Sequence, residues 1–278
     1  MTHSSLTPKG FQTELAALAE GLRRHVERNV PGFSQEPEVQ RRRQRRACRE
    51  FQFFAKTYFP HYISRHDSVL HTYLYDRLPR LLQARRGVKL AIAAPRGEAK
   101  STLVTQIFTL WCAITGGRKY IPIIMDTQHQ AAAMLEAIKA ELESNTRLLL
   151  DFPESCGAGA VWKAGVMVTL GGTKLQAFGS GRRIRGLRHG SYRPDMVICD
   201  DLENDCNVRS RTQRDKLEEW LRSTVLKLGS ADDSMDVLVV GTILHHDSLL
   251  ARLLHNPLWE RARFQAILQW PQDMALWE

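Results

Sequence analysis

VKLAIAAPRGEAKSTLVTQIFTLWCAI, residues 88–114, is the stretch from which the rest of the chain is read. An apolar, β-leaning run from Val88 to Ala94 breaks at Pro95, passes through Arg96, Gly97, Glu98 and Ala99, and reaches Lys100, Ser101 and Thr102 as a helical pattern begins. Strand, tight turn and helix in that order suit a phosphate-binding loop. Only a loop that enters a helix N-terminus aims several backbone N–H groups at one anion. In such a loop residues 95–102 cradle the phosphates of ATP, Lys100 reaches the outer ones and Ser101 ligates Mg²⁺. The best-matching template is GxxxxGK[ST], and Ala94 and Ala99 stand where it has its two glycines.

At 278 residues and 43% hydrophobic content the chain is long enough for one large or two modest globular domains. A net charge of +9 and a pI near 9.5 point to an anionic partner. Nucleic acid fits better than membrane, since no apolar run approaches the ~20 residues of a spanning helix. The five cysteines (48, 112, 156, 199 and 206) are scattered, with no CxxC pair and no secretory leader upstream, which reads as a reduced, cytoplasmic protein.

Residues 1–10 read as frayed. Phe11, Leu15, Leu18, Leu22, Val26 and Val30 then recur at helical spacing up to Pro31 and Gly32, an amphipathic helix expected to pack on its own domain. Arg41, Arg42, Arg43, Arg45, Arg46 and Arg49 follow, suited either to a nucleic-acid backbone or to a solvated helix face. Phe51–Leu82 reads as aromatic-rich helices, mostly core, placed where a wall for a nucleotide base would stand. His61, His66 and His71 fall five apart, a spacing that excludes a helical metal site. Beyond the loop helix come a short strand over 120–126 and a helix ending near Asn145, so two β-α units follow in succession and imply a mostly parallel sheet. VMVTL, GGTK and LQAF within 157–180 have a hairpin signature, expected as an insertion at the sheet edge.

GSGRRIRGLRHGSYRP, residues 179–194, places Arg182, Arg183, Arg185, Arg188 and Arg193 in a flexible loop. It suits phosphate or DNA-backbone contact, or an arginine offered to a neighbouring subunit's nucleotide. The apolar strand Met196–Cys199 then delivers Asp200, Asp201, Glu203 and Asp205 at its C-terminal end, the edge where ligands of open α/β sheets bind. Asp200 is the expected carboxylate partner of Mg²⁺, and Asp201 or Glu203 the base that orients and deprotonates an attacking water. A helix over about 209–228 precedes a wholly apolar strand that ends at Gly241 and Thr242, where a small polar residue can sense a γ-phosphate. Asp247 is expected to cap a short helix over 247–255, and 262–268 reads as a last strand.

APRGEAKST (94–102), IRGLRHGSYRPDMVICDDLEND (184–205), VVGTILHHDSLL (239–250) and the tail LQWPQDMALWE (268–278) together resemble the ATPase domain of the large terminase subunit of tailed bacteriophages. The resemblance spans most of residues 50–278. It implies an α/β, RecA-like (ASCE) P-loop NTPase with a mostly parallel central sheet flanked by helices, preceded by an N-terminal helical, basic arm (1–50) and carrying the small hairpin. It further implies a deviant Walker A with an internal arginine at Arg96, Walker B at Asp200, a catalytic acid at Asp201 or Glu203, and a coupling motif at Gly241 and Thr242. Arg96, or one of Arg182, Arg183, Arg185 and Arg188 acting in trans, would serve as arginine finger. The implied activity is Mg²⁺-dependent ATP hydrolysis coupled to translocation of double-stranded DNA. Portal protein, small terminase subunit and a homo-oligomeric ring are the implied partners, in the host cytoplasm and transiently on the procapsid. Large terminases usually carry a C-terminal nuclease domain, which residues 51–278 leave no room for; an excised motor domain or a separately encoded nuclease is expected. Two alternatives stay open: a metal-dependent nuclease built on the 200–203 acids, and a non-hydrolysing nucleic-acid-binding module.

Overall fold

The structure, a computed structural model, describes residues 8–270; residues 1–7 and 271–278, the latter holding most of the LQWPQDMALWE tail, lie outside the described residues. Six strands run parallel: β1 (Lys89–Ala93), β2 (Tyr120–Met125), β5 (Lys174–Gly179), β6 (Met196–Asp200), β7 (Asp236–Gly241) and β8 (Glu260–Arg263). With β3 (Val161–Lys163) and β4 (Val166–Val168) they form one sheet in the order β3-β4-β5-β2-β6-β7-β1-β8. β6 and β7 are buried at every residue, which is why Met196–Cys199 and Val237–Val240 read as unbroken apolar runs rather than alternations.

Leu90, Ile92, Ile121, Ile123, Ile198 and Leu238 face one layer of helices, while Ala91, Ala93, Val197, Cys199, Val237 and Val239 face the other. The first layer holds α3 (Phe51–Tyr58), α4 (Val69–Leu81), the helix Ser101–Thr115 and α6 (Gln128–Ser144); the second holds α8 (Arg211–Ser223) and α9 (Leu249–His255). The strand starts are pinned by acids. Asp195 accepts the N–H groups of Lys119 and Tyr120, and Asp236 accepts the Val88 N–H and pairs with Arg118.

Several expectations are corrected. The helix α1 (Pro8–Asn29) begins inside the stretch expected to fray and packs along α6. The hairpin's second arm, β5, pairs with β2 inside the parallel sheet because Leu175 and Ala177 are buried there, so only β3 and β4 form the edge. Phe51, Phe54, Tyr58 and Phe59, by contrast, fill the core beside Phe108 and Phe152, as expected for most rings of that segment. The last strand lies at 260–263, not 262–268; as an edge strand exposed along most of its length it carries ERAR, which has no apolar signal.

The basic segment before residue 50 packs on the body of the fold. On α2 (Pro37–Arg49), Arg43 is paired with the fully buried Asp151 at 2.6 Å, and Tyr58 donates to the same carboxylate. Arg46 pairs with Glu50 and lies over the Phe53 ring, whereas Arg41, Arg42, Arg45 and Arg49 are exposed. Removing Arg43 leaves a buried carboxylate without its cation, which costs about 3 kcal/mol. Arg43→Ala is therefore expected to lower stability by that order in denaturant titration, and Arg41→Ala by less than about 0.5 kcal/mol. Equal effects of the two would contradict the assignment.

Candidate functional site

Three strand ends meet at one edge of the sheet. β1 leads through residues 94–100 into the helix that starts at Ser101; β6 ends at Asp200; β7, lying between β1 and β6, ends at Gly241. The first two turns of the helix, Ser101–Phe108, are wound as a π-helix, a rare form that recurs at functional sites.

Asp200 is completely buried. The hydroxyls of Ser101 and Thr105, four residues apart on the helix, donate to its two oxygens at 3.1 and 2.7 Å. Burial pushes its carboxyl up to about 6, and the charge of Asp201 adds to the shift; the two hydroxyls and Lys100 oppose it. One buried carboxylate beside two hydroxyls is a set of hard oxygen donors, the chemistry that suits Mg²⁺. Ser101 and Asp200 could hold such an ion directly or through its waters.

Asp201 turns the chain sharply, at φ +42°, a left-handed conformation that aspartate tolerates better than most residues. Its Oδ2 lies 3.7 Å from the buried Lys100 ammonium, and its Oδ1 accepts the Thr242 N–H at 3.2 Å. A Cβ at Gly241 would sit 3.0 Å from that same Oδ1, so the tip of β7 needs a glycine to let the carboxylate in. The Thr242 hydroxyl donates to the Ala94 carbonyl, and the Ala94 N–H to Gly241. Gly241 and Thr242 thus touch both the acid and the start of the 94–100 loop.

Within that loop Pro95, Glu98 and Ala99 are half-buried, while Arg96 and Gly97 are exposed. Gly97 (φ +85°) and Ala99 (φ +50°) are both left-handed. At Ala99 the Cβ makes this conformation unfavourable by about 1 kcal/mol, the physical reason a glycine is usual at such a position. Arg96 reaches Asp205 at 3.4 Å with both side chains largely in solvent, and Thr102 sits half-buried in the first turn.

Glu203 leaves the group. Its carboxylate accepts the N–H groups of Leu249 and Leu250 at 2.8 and 3.3 Å, closing the N-terminus of α9. Burial raises its pKa, opposed by those N–H groups and by Arg214 and Arg252. Asp247 does not cap α9; Ser248 does, accepting from Ala251 N–H. Asp247 instead bridges Arg214 and Arg252, whose hydrogen bonds hold its carboxyl well below the usual carboxylate range. Arg182, Arg183, Arg185 and Arg188 are exposed and none pairs with an acid among the described residues; their loop is anchored by buried Ile184 and by the Trp220 indole N–H donating to the Arg182 carbonyl.

Three contributors were not singled out from sequence. Thr105 shares a helix face with Ser101, a spacing of four that could have flagged it. Asn204 donates to both oxygens of Asp126, tying the 201–207 loop to the end of β2. His71 reaches the Glu98 carbonyl from α4. No family model matches the chain, and no curated protein matches it either.

Because the folded-state pKa of Asp200 lies above its unfolded value, the folded chain holds the extra proton, and this group's contribution to stability falls as pH rises from about 4 to 6. A shift of about two units corresponds to about 3 kcal/mol. Subtracting the stability–pH curve of Asp200→Asn from that of the ligand-free wild type should expose a fall of that order across this window. A flat difference would contradict it. Ala99→Gly should raise stability by about 1 kcal/mol in denaturant titration, by relieving its left-handed φ; a loss would show that the Cβ contributes packing.

Proposed function

We propose that the chain is a Mg²⁺-dependent ATPase, the motor domain of a phage large terminase that drives double-stranded DNA into a procapsid. The observation that carries this reading is the meeting of Lys100 and Ser101 with Asp200 and Asp201 at one sheet edge. The strand order supports it as well: β7 stands between the loop strand β1 and the acid strand β6, which fits the additional-strand (ASCE), RecA-like arrangement with 94–102 as a deviant Walker A. Among the described residues no helix is long and apolar enough to cross a membrane.

In this reading the loop amides and the Lys100 ammonium bind the β- and γ-phosphates of ATP, so Lys100 leaves Asp201 when nucleotide arrives. Ser101 and Asp200 would hold Mg²⁺, which would offset charge on the phosphate oxygens. The freed Asp201 carboxylate, kept in place by the Thr242 N–H, orients a water and takes its proton as the water oxygen bonds to the γ-phosphorus and the bond to ADP breaks. Of the two candidate bases Asp201 is favoured, because Glu203 is occupied at α9. Arg96, held only by an exposed 3.4 Å contact, is free to swing onto the γ-phosphate as finger. In this reading the exposed Arg182, Arg183, Arg185 and Arg188 would meet DNA phosphates or a neighbouring subunit's nucleotide in a homo-oligomeric ring. Portal protein and small terminase subunit are the proposed partners, on the procapsid in the host cytoplasm.

The nuclease reading needs Asp200, Asp201 and Glu203 to share metal ions. Their carboxylates are instead directed to the Ser101–Thr105 hydroxyls, to Lys100 and Thr242, and to α9.

Lys100→Ala is expected to abolish ATP turnover while leaving the melting transition in place; undiminished hydrolysis would reject the proposal. Asp201→Asn should lower kcat by at least about 10²-fold and trap bound ATP. Glu203→Gln should keep kcat within a few-fold and lower the melting temperature, and the reverse pattern would move the base to Glu203.

A further inference from the structure

His71 is the third residue of α4 and closes its N-terminal cap. Ser68 Oγ accepts the His71 N–H at 3.4 Å, and ring nitrogen Nδ1 of His71 accepts the Ser68 N–H at 3.2 Å. A main-chain N–H only donates, so Nδ1 is the bare nitrogen and the proton of the neutral ring is on Nε2. Nε2 lies 3.1 Å from the Glu98 carbonyl oxygen, to which it therefore donates. One imidazole joins the start of α4 to the last bend of the 94–100 loop.

That contact fixes the orientation of a peptide. The Glu98–Ala99 bond is trans, so its C=O and N–H point in opposite directions. With the carbonyl held toward α4, the Ala99 N–H faces away from it and has no acceptor among the described residues. The Ala99 carbonyl accepts from the Leu103 N–H, so the free Ala99 N–H belongs to the donors at the open N-terminal end of the helix, where an anion would be met.

Ala99 makes the restraint necessary. Flipping this peptide by half a turn would carry φ of Ala99 from +50° to roughly −130°, out of the left-handed region and to a negative φ of the kind that side chains favour. The relaxed loop would then turn its N–H away from the anion. A hydrogen bond to the carbonyl is lost in that flip, at a cost of the same order as the strain relieved.

We propose that His71 is a positioning residue for nucleotide binding: it holds the Glu98–Ala99 peptide so that the Ala99 N–H is presented to the phosphates. The inference rests on the reading of residues 94–102 as an ATP-phosphate loop.

The test compares full-length wild type with His71→Leu, His71→Gln, Ser68→Ala and Lys100→Ala, measuring the Kd of a fluorescent ATP analogue with Mg²⁺, steady-state KM and kcat for ATP, and Tm. In His71→Leu, Kd and KM are expected to rise about tenfold with kcat within about twofold. His71→Gln, whose side-chain amide can donate to the same carbonyl, should recover most of the affinity. Ser68→Ala removes the other half of the cap, so it should lower Tm without changing Kd. Wild-type affinity in His71→Leu, or equal weakening in His71→Leu and Ser68→Ala, would overturn the positioning role while leaving the loop reading intact. No nucleotide binding by the wild type, or undiminished binding by Lys100→Ala, would overturn the loop reading and this inference with it.

Discussion

A carboxylate with no exposed surface, hydrogen-bonded to two hydroxyls of one helix, is the constraint on which the site depends. Asp200 joins the end of β6 to the helix that follows β1, across the strand β7 that separates them in the sheet. Burying such a group is unfavourable unless a cation or a proton accompanies it, which is why its pKa rises in the ligand-free chain. In the proposed ATPase a divalent ion held by Ser101 and Asp200 would offset the same penalty. Lys100 beside Asp201 is the second half of the balance: an ammonium and a carboxylate 3.7 Å apart, a pair for which the phosphates of the proposed nucleotide would compete.

From that centre, contacts run outward along the chain. Asp201 touches Thr242 at the tip of β7, and two residues later Glu203 holds the start of α9. Arg252 of α9 and Arg214 of α8 share Asp247, and Arg252 also pairs with Glu218. The short acidic segment after β6 is therefore joined to both helices of the second layer. A change in the hold on Asp201 has a covalent and hydrogen-bonded route to α8, whose Trp220 holds the arginine-bearing loop at Arg182. These contacts name the elements that a nucleotide-driven movement would shift.

The sheet was legible where burial wrote it into the residues. Val88–Ala94, Met196–Cys199 and Met235–Thr242 are apolar because both their faces are covered, and each was found with its polar residues at the correct end. The edge strand β8 gave a poorer signal, since ERAR is solvent-facing; the hairpin arm LQAF does pair with β4, but its further pairing with β2 leaves no mark in local sequence. Within the site, residue type identified Lys100, Ser101, Asp200 and Asp201, but it could not separate Asp201 from Glu203. In the structure Asp201, at φ +42°, stays beside Lys100 and Thr242, whereas the Glu203 carboxylate is held at the start of α9. Likewise Arg43 read as one of six equivalent arginines until its partner Asp151, more than a hundred residues away, was in place. Long-range pairing of this kind is set by tertiary packing, which no local pattern encodes.

The central claim is that the 100–101 pair and the acids at 200 and 201 share one metal triphosphate. The most direct measurement is a crystal structure of the chain with Mn²⁺ and a non-hydrolysable ATP analogue, the metal located by its anomalous signal. The account predicts a single metal peak about 2.1 Å from Ser101 Oγ, facing Asp200 directly or through a water, with the Lys100 ammonium moved from Asp201 to the phosphates. A nucleotide bound away from residues 94–102, or a metal cluster held by Asp201 and Glu203 without it, would contradict the account.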